Sequence, residues 1–140
     1  VKSDAPVLYR FDSLAQQELV HGISLSCGGV SHGAITGLNL GHTVGDDPEA
    51  VEANHALLYA ALGIAAGQVV TAHQVHGAQV AAAGCEHAGT IIPATDGLIS
   101  NTPGLYLLMR FADCVPILFY DPVRRAIGLA HAGWRGALAR

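Results

Sequence analysis

Positive charge is scarce in this 140-residue chain: 7 Lys and Arg stand against 11 Asp and Glu, for a formal net charge of -4. With no basic stripe to neutralise a phosphate backbone, nucleic-acid binding is excluded as the main task. No stretch approaches the roughly 18 apolar residues of a membrane-spanning helix. The three cysteines, Cys27, Cys85 and Cys114, are an odd number without CxxC spacing. That argues against a disulfide framework and against a four-cysteine zinc module, and it leaves at least one thiol free. The opening Val1-Lys2-Ser3-Asp4 lacks the basic start and apolar run of a secretory signal, so a cytoplasmic protein is expected. There is no internal repeat and no linker.

What remains is 51% hydrophobic and only 13% charged, with 17 glycines, the composition of a heavily buried α/β protein. A chain of this length reads as one domain, residues 1–140, able to bury about two thirds of its unfolded surface. Asp47-Pro48-Glu49 is a helix start, with a capping carboxylate and proline at the first helical position, and apolar residues recur at helical spacing up to Gly63. Strands are predicted over 7–11, 19–25, 69–75, 79–83, 97–100, 106–111, 115–120 and 126–130. A glycine-rich loop, Cys27-Gly28-Gly29-Val30-Ser31-His32-Gly33, follows the second. Both faces of the last two strands are apolar, so the expected fold is mixed, largely antiparallel sheets covered by helices. A helix beginning near Trp134 stops after about two turns, too short to be stable without more chain to dock against. A further C-terminal portion is therefore expected to complete the fold.

Asp121-Pro122 opens a type I turn between the last two strands. If Pro122 and Val123 are its central residues, Cys114 and His131 face each other across a hairpin. Opposed Cβ atoms lie about 4.5 to 5.5 Å apart, close enough for a thiolate and an imidazole to share one ion. A third ligand is needed. His55 lies on the helix and His87 in a glycine-flanked loop, both ordinary settings for a histidine. His73 and His76 in His73-Gln74-Val75-His76-Gly77 read as strand residues three apart and so on opposite faces, which lets only one of them join the pair. Pro116 cannot donate to a ladder, which places its strand at a sheet edge or turns that position outward.

The blocks Gln74-Val75-His76-Gly77, Asp96-Gly97-Leu98-Ile99, Pro103-Gly104-Leu105, Ala112-Asp113-Cys114-Val115-Pro116 and His131-Ala132-Gly133-Trp134-Arg135-Gly136 resemble, in order, the polyphenol oxidase or laccase-domain family of purine nucleoside enzymes, the YfiH type. The likeness extends upstream through Gly28-Gly29-Val30-Ser31, Leu38-Asn39-Leu40-Gly41 and Val44-Gly45-Asp46-Asp47-Pro48. It implies His76, Cys114 and His131 as the metal ligands and catalytic centre, with substrate contacts at Asn39 and Arg135. It implies phosphorolysis of adenosine, inosine, guanosine or methylthioadenosine, and hydrolytic deamination of adenosine, with purine nucleosides and phosphate as partners. It also implies a longer chain, of which these residues are the N-terminal part. Two positions depart from the pattern: Ser24-Leu25-Ser26-Cys27 replaces a usual arginine before the glycine loop, and Phe111 replaces a usual threonine before Ala112-Asp113-Cys114.

Two histidines and a cysteine with an open fourth position form a catalytic zinc pattern, because structural zinc closes its shell with four protein ligands. Zn²⁺ is the expected cofactor. A copper-dependent polyphenol oxidase is the alternative, but no His-x-His pair is present to build a multicopper cluster, and Met109 is poorly placed as an axial ligand to Cys114. A second alternative is a metal-free cysteine hydrolase in which His131 deprotonates Cys114. It would leave His76 idle. Arg135, at the start of the last helix, is a candidate for receiving phosphate, against the plainer reading of a surface ion pair. Asp113 is expected on the opposite face from Cys114, in an orienting role.

Overall fold

The computed structural model describes residues 4–15 and 19–138, so the end of the helix expected after Trp134 lies outside the described residues. They fall into two compact units, one within Val1–Ala65 and one within Ala66–Arg140. No helix among them is long and apolar enough to cross a membrane.

The first unit carries the short antiparallel pair β1 (Leu8–Tyr9) and β2 (Ile23–Ser24), a single helical turn α1 (Asp12–Ala15) between them, and the long helix α2 (Pro48–Leu62). α2 forms where its caps predict. The Asp47 carboxylate accepts from the Glu49 amide, and Gly63 adopts φ 69° so that its own N–H and that of Ile64 close onto the carbonyls of Ala60 and Tyr59. Val51, Asn54, His55 and Leu58 form its buried stripe. Asn54 is fully buried and organises the loop around it. Its Nδ2 donates to the Ser31 hydroxyl and to the carbonyls of Gly37 and Asn39, and its Oδ1 accepts from the Val30 amide at 2.8 Å. A Cβ on Gly29 (φ 76°) would strike Asn54 Oδ1 and Leu38, which explains the glycine there.

The second unit holds β3 (Val69–Ala72), β4 (Val80–Ala82), β5 (Ile91–Ile92), β6 (Gly97–Ser100), β7 (Tyr106–Leu108), β8 (Val115–Asp121), β9 (Ala126–Ala132) and α3 (Trp134–Leu138). One sheet is all parallel, in the order β5-β3-β7. The other runs β4-β6-β9-β8, parallel at its first pair and antiparallel at the other two. The fold is thus mixed α/β, as expected. Val70, Ala72, Ala83, Leu98, Leu105 and Met109 make its core, with Leu107, Phe111 and Leu129 packed on it. β8 is an edge strand, which accommodates Pro116. Its other face is exposed: Val115, Ile117 and Phe119 stand on the same side as Ile99 and Val80.

The expected two-residue hairpin turn is corrected to four residues. Asp121 Oδ1 accepts from the amides of both Val123 and Arg124, and Arg125 takes φ 50°, so the ladder closes at Asp121↔Ala126. His131 therefore opposes Pro116, and Cys114 does not face it directly. Cys114 lies on the bend just before β8, outside the ladder, yet its Sγ comes within 4.8 Å of a His131 ring nitrogen. The strands expected over 69–75 and 106–111 end at Ala72 and Leu108. Beyond them the Gln74 side chain takes over from the ladder, donating to the Arg110 carbonyl at 2.7 Å and accepting from the Arg110 amide at 2.9 Å.

Asn54→Ala removes four hydrogen bonds made by a fully buried side chain, two of them to groups that keep another partner, and should cost about 2 kcal/mol. Asp47→Ala, which loses one cap bond, should cost about 1 kcal/mol. Urea denaturation of the two variants checks the order; the reverse order would show that the loop does not depend on Asn54.

Candidate metal centre

His76, Cys114 and His131 come together in the second unit, each offering a ligand atom within 4.8 Å of the other two. His76 is exposed, Cys114 half-buried and His131 buried, so the cluster opens to solvent on the His76 side. The imidazoles meet edge to face at 4.9 Å between centroids. Of the alternatives at the third position, His76 is the one brought in. His73 stays on the ladder side through its N–H to Ile92 and its carbonyl to Thr95.

His76 is not a strand residue. It follows the end of β3 in the left-handed region at φ 60°, a conformation that a non-glycine residue holds only when its surroundings impose it. Asp96 supplies that imposition. Its carboxylate accepts from the amides of Val75 (3.1 Å), His76 (2.9 Å) and Gly77 (2.8 Å). One step past the β6–β9 pair Gly97↔Ala130, Asp96 lies opposite His131, accepting its main-chain N–H at 2.8 Å and meeting its Nδ1 at 2.9 Å. Burial alone would raise the Asp96 carboxyl. The Gly77 amide, the His131 ring and the Val75 and His76 amides outweigh it and hold the carboxyl below its ordinary value. Sequence reasoning passed over Asp96 as a site residue, although a carboxylate immediately before a buried strand already demands donors.

Glycines admit the close approaches. A Cβ on Gly133 would sit 3.2 Å from Cys114 Sγ, 3.5 Å from His76 Cδ2 and 3.8 Å from His131 Cε1, in the middle of the cluster. A Cβ on Gly136 would collide with the Gly77 carbonyl, because the first turn of α3 packs on the His76 loop. Phe111, in place of the usual threonine, tilts over the His131 ring at 5.4 Å and joins the core. Asp113 is corrected: it lies on a bend rather than in the strand, and its Oδ1 is 3.8 Å from Cys114 Sγ. Partial burial first, and then the Asp113 charge and hydrogen bond, push the Cys114 thiol up.

The gap among two imidazoles and a thiol, with a glycine where a side chain would fill it, fits a metal ion, and the donor set suits zinc or copper. Met109 is in the core and outside the cluster. Arg135 is exposed and stacks on the Trp134 ring at 5.4 Å, with no carboxylate paired to it among the described residues. Asn39, in the first unit, spends its amide on its own loop, donating to the Gly41 carbonyl and to Asp46 and accepting from the Gly41 amide. Ser31 also donates to Asp46, at 2.6 Å, and these two bonds lower the Asp46 carboxyl.

Fold and cluster together define a mixed α/β protein with a His-Cys-His cluster, assembled from separate segments, that fits a metal site. The sequence profile of the family described as multi-copper polyphenol oxidoreductase laccase matches residues 20–140, and the chain belongs to that family. A purine nucleoside phosphorylase of Deinococcus radiodurans is 43% identical over 120 residues, covering 86% of this chain and 46% of the relative. One from Streptomyces coelicolor is 40% identical over 130 residues, covering 90% and 54%. The crystal structure of YlmD from Geobacillus stearothermophilus superposes with a TM-score of 0.81 at 38% identity, over 84% of this chain and 46% of that one. The chain thus spans about half the length of the curated relatives it matches.

Gly133→Ala places a methyl among the ligand atoms and should weaken zinc binding by tenfold or more while lowering stability only modestly. Gly136→Ala should do both, because the His76 loop must move. Chelator competition and thermal melts separate the two effects; undiminished affinity in Gly133→Ala would mean that the gap is not where a metal sits.

Proposed function

We propose that the chain is part of a zinc-dependent purine nucleoside enzyme, with His76, Cys114 and His131 as the metal ligands and catalytic centre. The carrying observation is the convergence of those three ligand atoms, open to solvent on one side. The relatives named purine nucleoside phosphorylase support the substrate class. His76, Cys114 and His131 would hold the zinc, which would supply Lewis acidity and activate water for hydrolysis near neutral pH. On this reading the protein cleaves the N-glycosidic bond of adenosine, inosine, guanosine or methylthioadenosine with phosphate, and replaces the 6-amino group of adenosine with oxygen from water. Arg135 would receive phosphate, and Asn39 would contact substrate.

The same reading treats residues 1–140 as a single domain, the N-terminal portion of a longer one. The rest of that domain would cover the apolar face around Ile117 and Phe119, and the setting would be cytoplasmic, where Cys114 stays reduced. Copper would use the same three ligands, as the family description suggests. Against an oxidase stand the core position of Met109 and the lack of His-x-His pairs. The metal-free cysteine hydrolase leaves unexplained why His76 is held in a strained conformation beside Cys114 and His131.

Protein purified without added metal should carry about one equivalent of zinc by mass spectrometry, and His76→Ala should lose most of it. Full retention in that variant, or copper in place of zinc, would sink the zinc reading. The family-length protein should release free base from inosine only with phosphate and convert adenosine to inosine without it. The 140-residue chain should be slower by about a hundredfold if the remaining length supplies a wall of the pocket. No nucleoside turnover by the zinc-loaded, family-length protein would move the assignment to oxidation or cysteine hydrolysis.

A further inference from the structure

We propose that Asp96 is the positioning residue of this centre: its single carboxylate selects the Nδ1–H tautomer of His131 and pins the Val75–Gly77 loop that presents His76, so that both imidazoles are aimed before a metal arrives. This rests on the metal reading above only for its functional meaning. The geometry stands without it.

Four donors converge on two oxygens. Oδ1 receives His131 Nδ1 and the His76 amide, both at 2.9 Å, and Oδ2 receives the amides of Val75 at 3.1 Å and Gly77 at 2.8 Å. The Asp96 side chain is 2% exposed and that of His131 4%, so water does not substitute for these bonds. An ionised carboxylate only accepts, so the proton between Oδ1 and the neutral ring belongs to Nδ1. Nε2 then keeps its lone pair for a metal, which is how a carboxylate behind a ligand histidine works elsewhere. The three amide bonds do the corresponding work for the other imidazole, because they stabilise the positive φ that turns His76 out of the strand direction. A shift of this carboxylate therefore moves two ligands at once.

Asparagine in this place has one acceptor oxygen and one donor nitrogen. With the nitrogen at the Oδ1 position, it faces the His76 amide and Nδ1, and the ring can answer only by moving its proton to Nε2. With the nitrogen at the Oδ2 position, it faces two amides and frees the loop. Either orientation spoils one ligand.

The test uses the metal-free 140-residue chain with ¹⁵N-labelled histidine, observed by long-range ¹H–¹⁵N correlation at a pH where the rings are neutral. Wild-type His131 should be the Nδ1–H tautomer, and the amides of residues 75–77 should exchange slowly with solvent. An Nε2–H tautomer in the wild type would overturn the proposal. In Asp96→Asn the tautomer should switch or the three amides lose protection, and zinc affinity, measured against a chromophoric chelator, should fall about 10- to 100-fold. A variant with a lowered melting temperature but an unchanged tautomer, protected amides and undiminished zinc affinity would show a purely structural role and overturn the proposal as well. If Asp96→Asn does not fold, the wild-type tautomer and amide protection decide. If the wild type binds no zinc yet shows the tautomer and its switch, the positioning role stands and the metal reading falls.

Discussion

A carboxylate buried to the depth of Asp96 dictates its neighbourhood. Leaving such a charge without partners costs several kcal/mol, and breaking one partner from a buried pair typically costs about 3 to 5 kcal/mol. The chain meets that demand with backbone as well as side chain: three consecutive amides, one imidazole, and a main-chain bond from His131 back to the Asp96 carbonyl. Three otherwise separate features follow. The register of β6 on β9 is set where Asp96 meets His131, the end of β3 is bent into a left-handed residue, and that residue is the exposed member of the His-Cys-His cluster. A hydrogen-bonding requirement in the interior thereby becomes the geometry of an open site.

The glycines complete the same arrangement from the other side. The segment after β9 must pass close to Cys114 Sγ and then lay the first turn of α3 on the Gly77 carbonyl. Gly136 excludes a Cβ outright, while a Cβ on Gly133 would only crowd Cys114 Sγ and enter the space among the three side chains. Gly133 shows no positive φ, and its role is space rather than backbone freedom. Phe111 acts in the opposite sense, filling the volume behind His131 with a ring that also belongs to the core. The imidazole is held between packing on one side and a carboxylate on the other.

Local chemistry was the legible part of the sequence. α2 was readable to its caps because Asp47-Pro48 and Gly63 act within one turn of chain, and β6 was readable because its apolar run is short and bounded. The hairpin was readable but not its register: Asp121 accepts from the amides of Val123 and Arg124, which lengthens the turn by two residues and leaves Cys114 on the bend before β8, still beside His131. His76 as third ligand came from family likeness, since strand periodicity alone left His73 and His76 equal. Asp96 was beyond local reasoning. Its donors lie some 20 and 35 residues away in sequence, and nothing in the spacing of those segments announces that one carboxylate will bridge them. The Gln74 bridge to Arg110 escaped for the same reason, since a side chain imitating a strand partner shows no β pattern.

These contacts also decide how metal and folding are related. In domains where the ligands are the main cross-links, the protein is unfolded without its metal. Here the segments bearing His76 and His131 are joined through Asp96, and the segment bearing Cys114 is joined to β9 by the seven-pair β8 ladder, none of which requires an ion. The ligand set is assembled by the fold, and a bound metal then adds stability by mass action, by about 2.7 kcal/mol at a free concentration a hundredfold above its dissociation constant. On the proposed metal reading, a preassembled set exposed on one side would leave room there for a reactant. That arrangement suits a centre whose metal acts on a substrate better than one whose metal only holds the chain together.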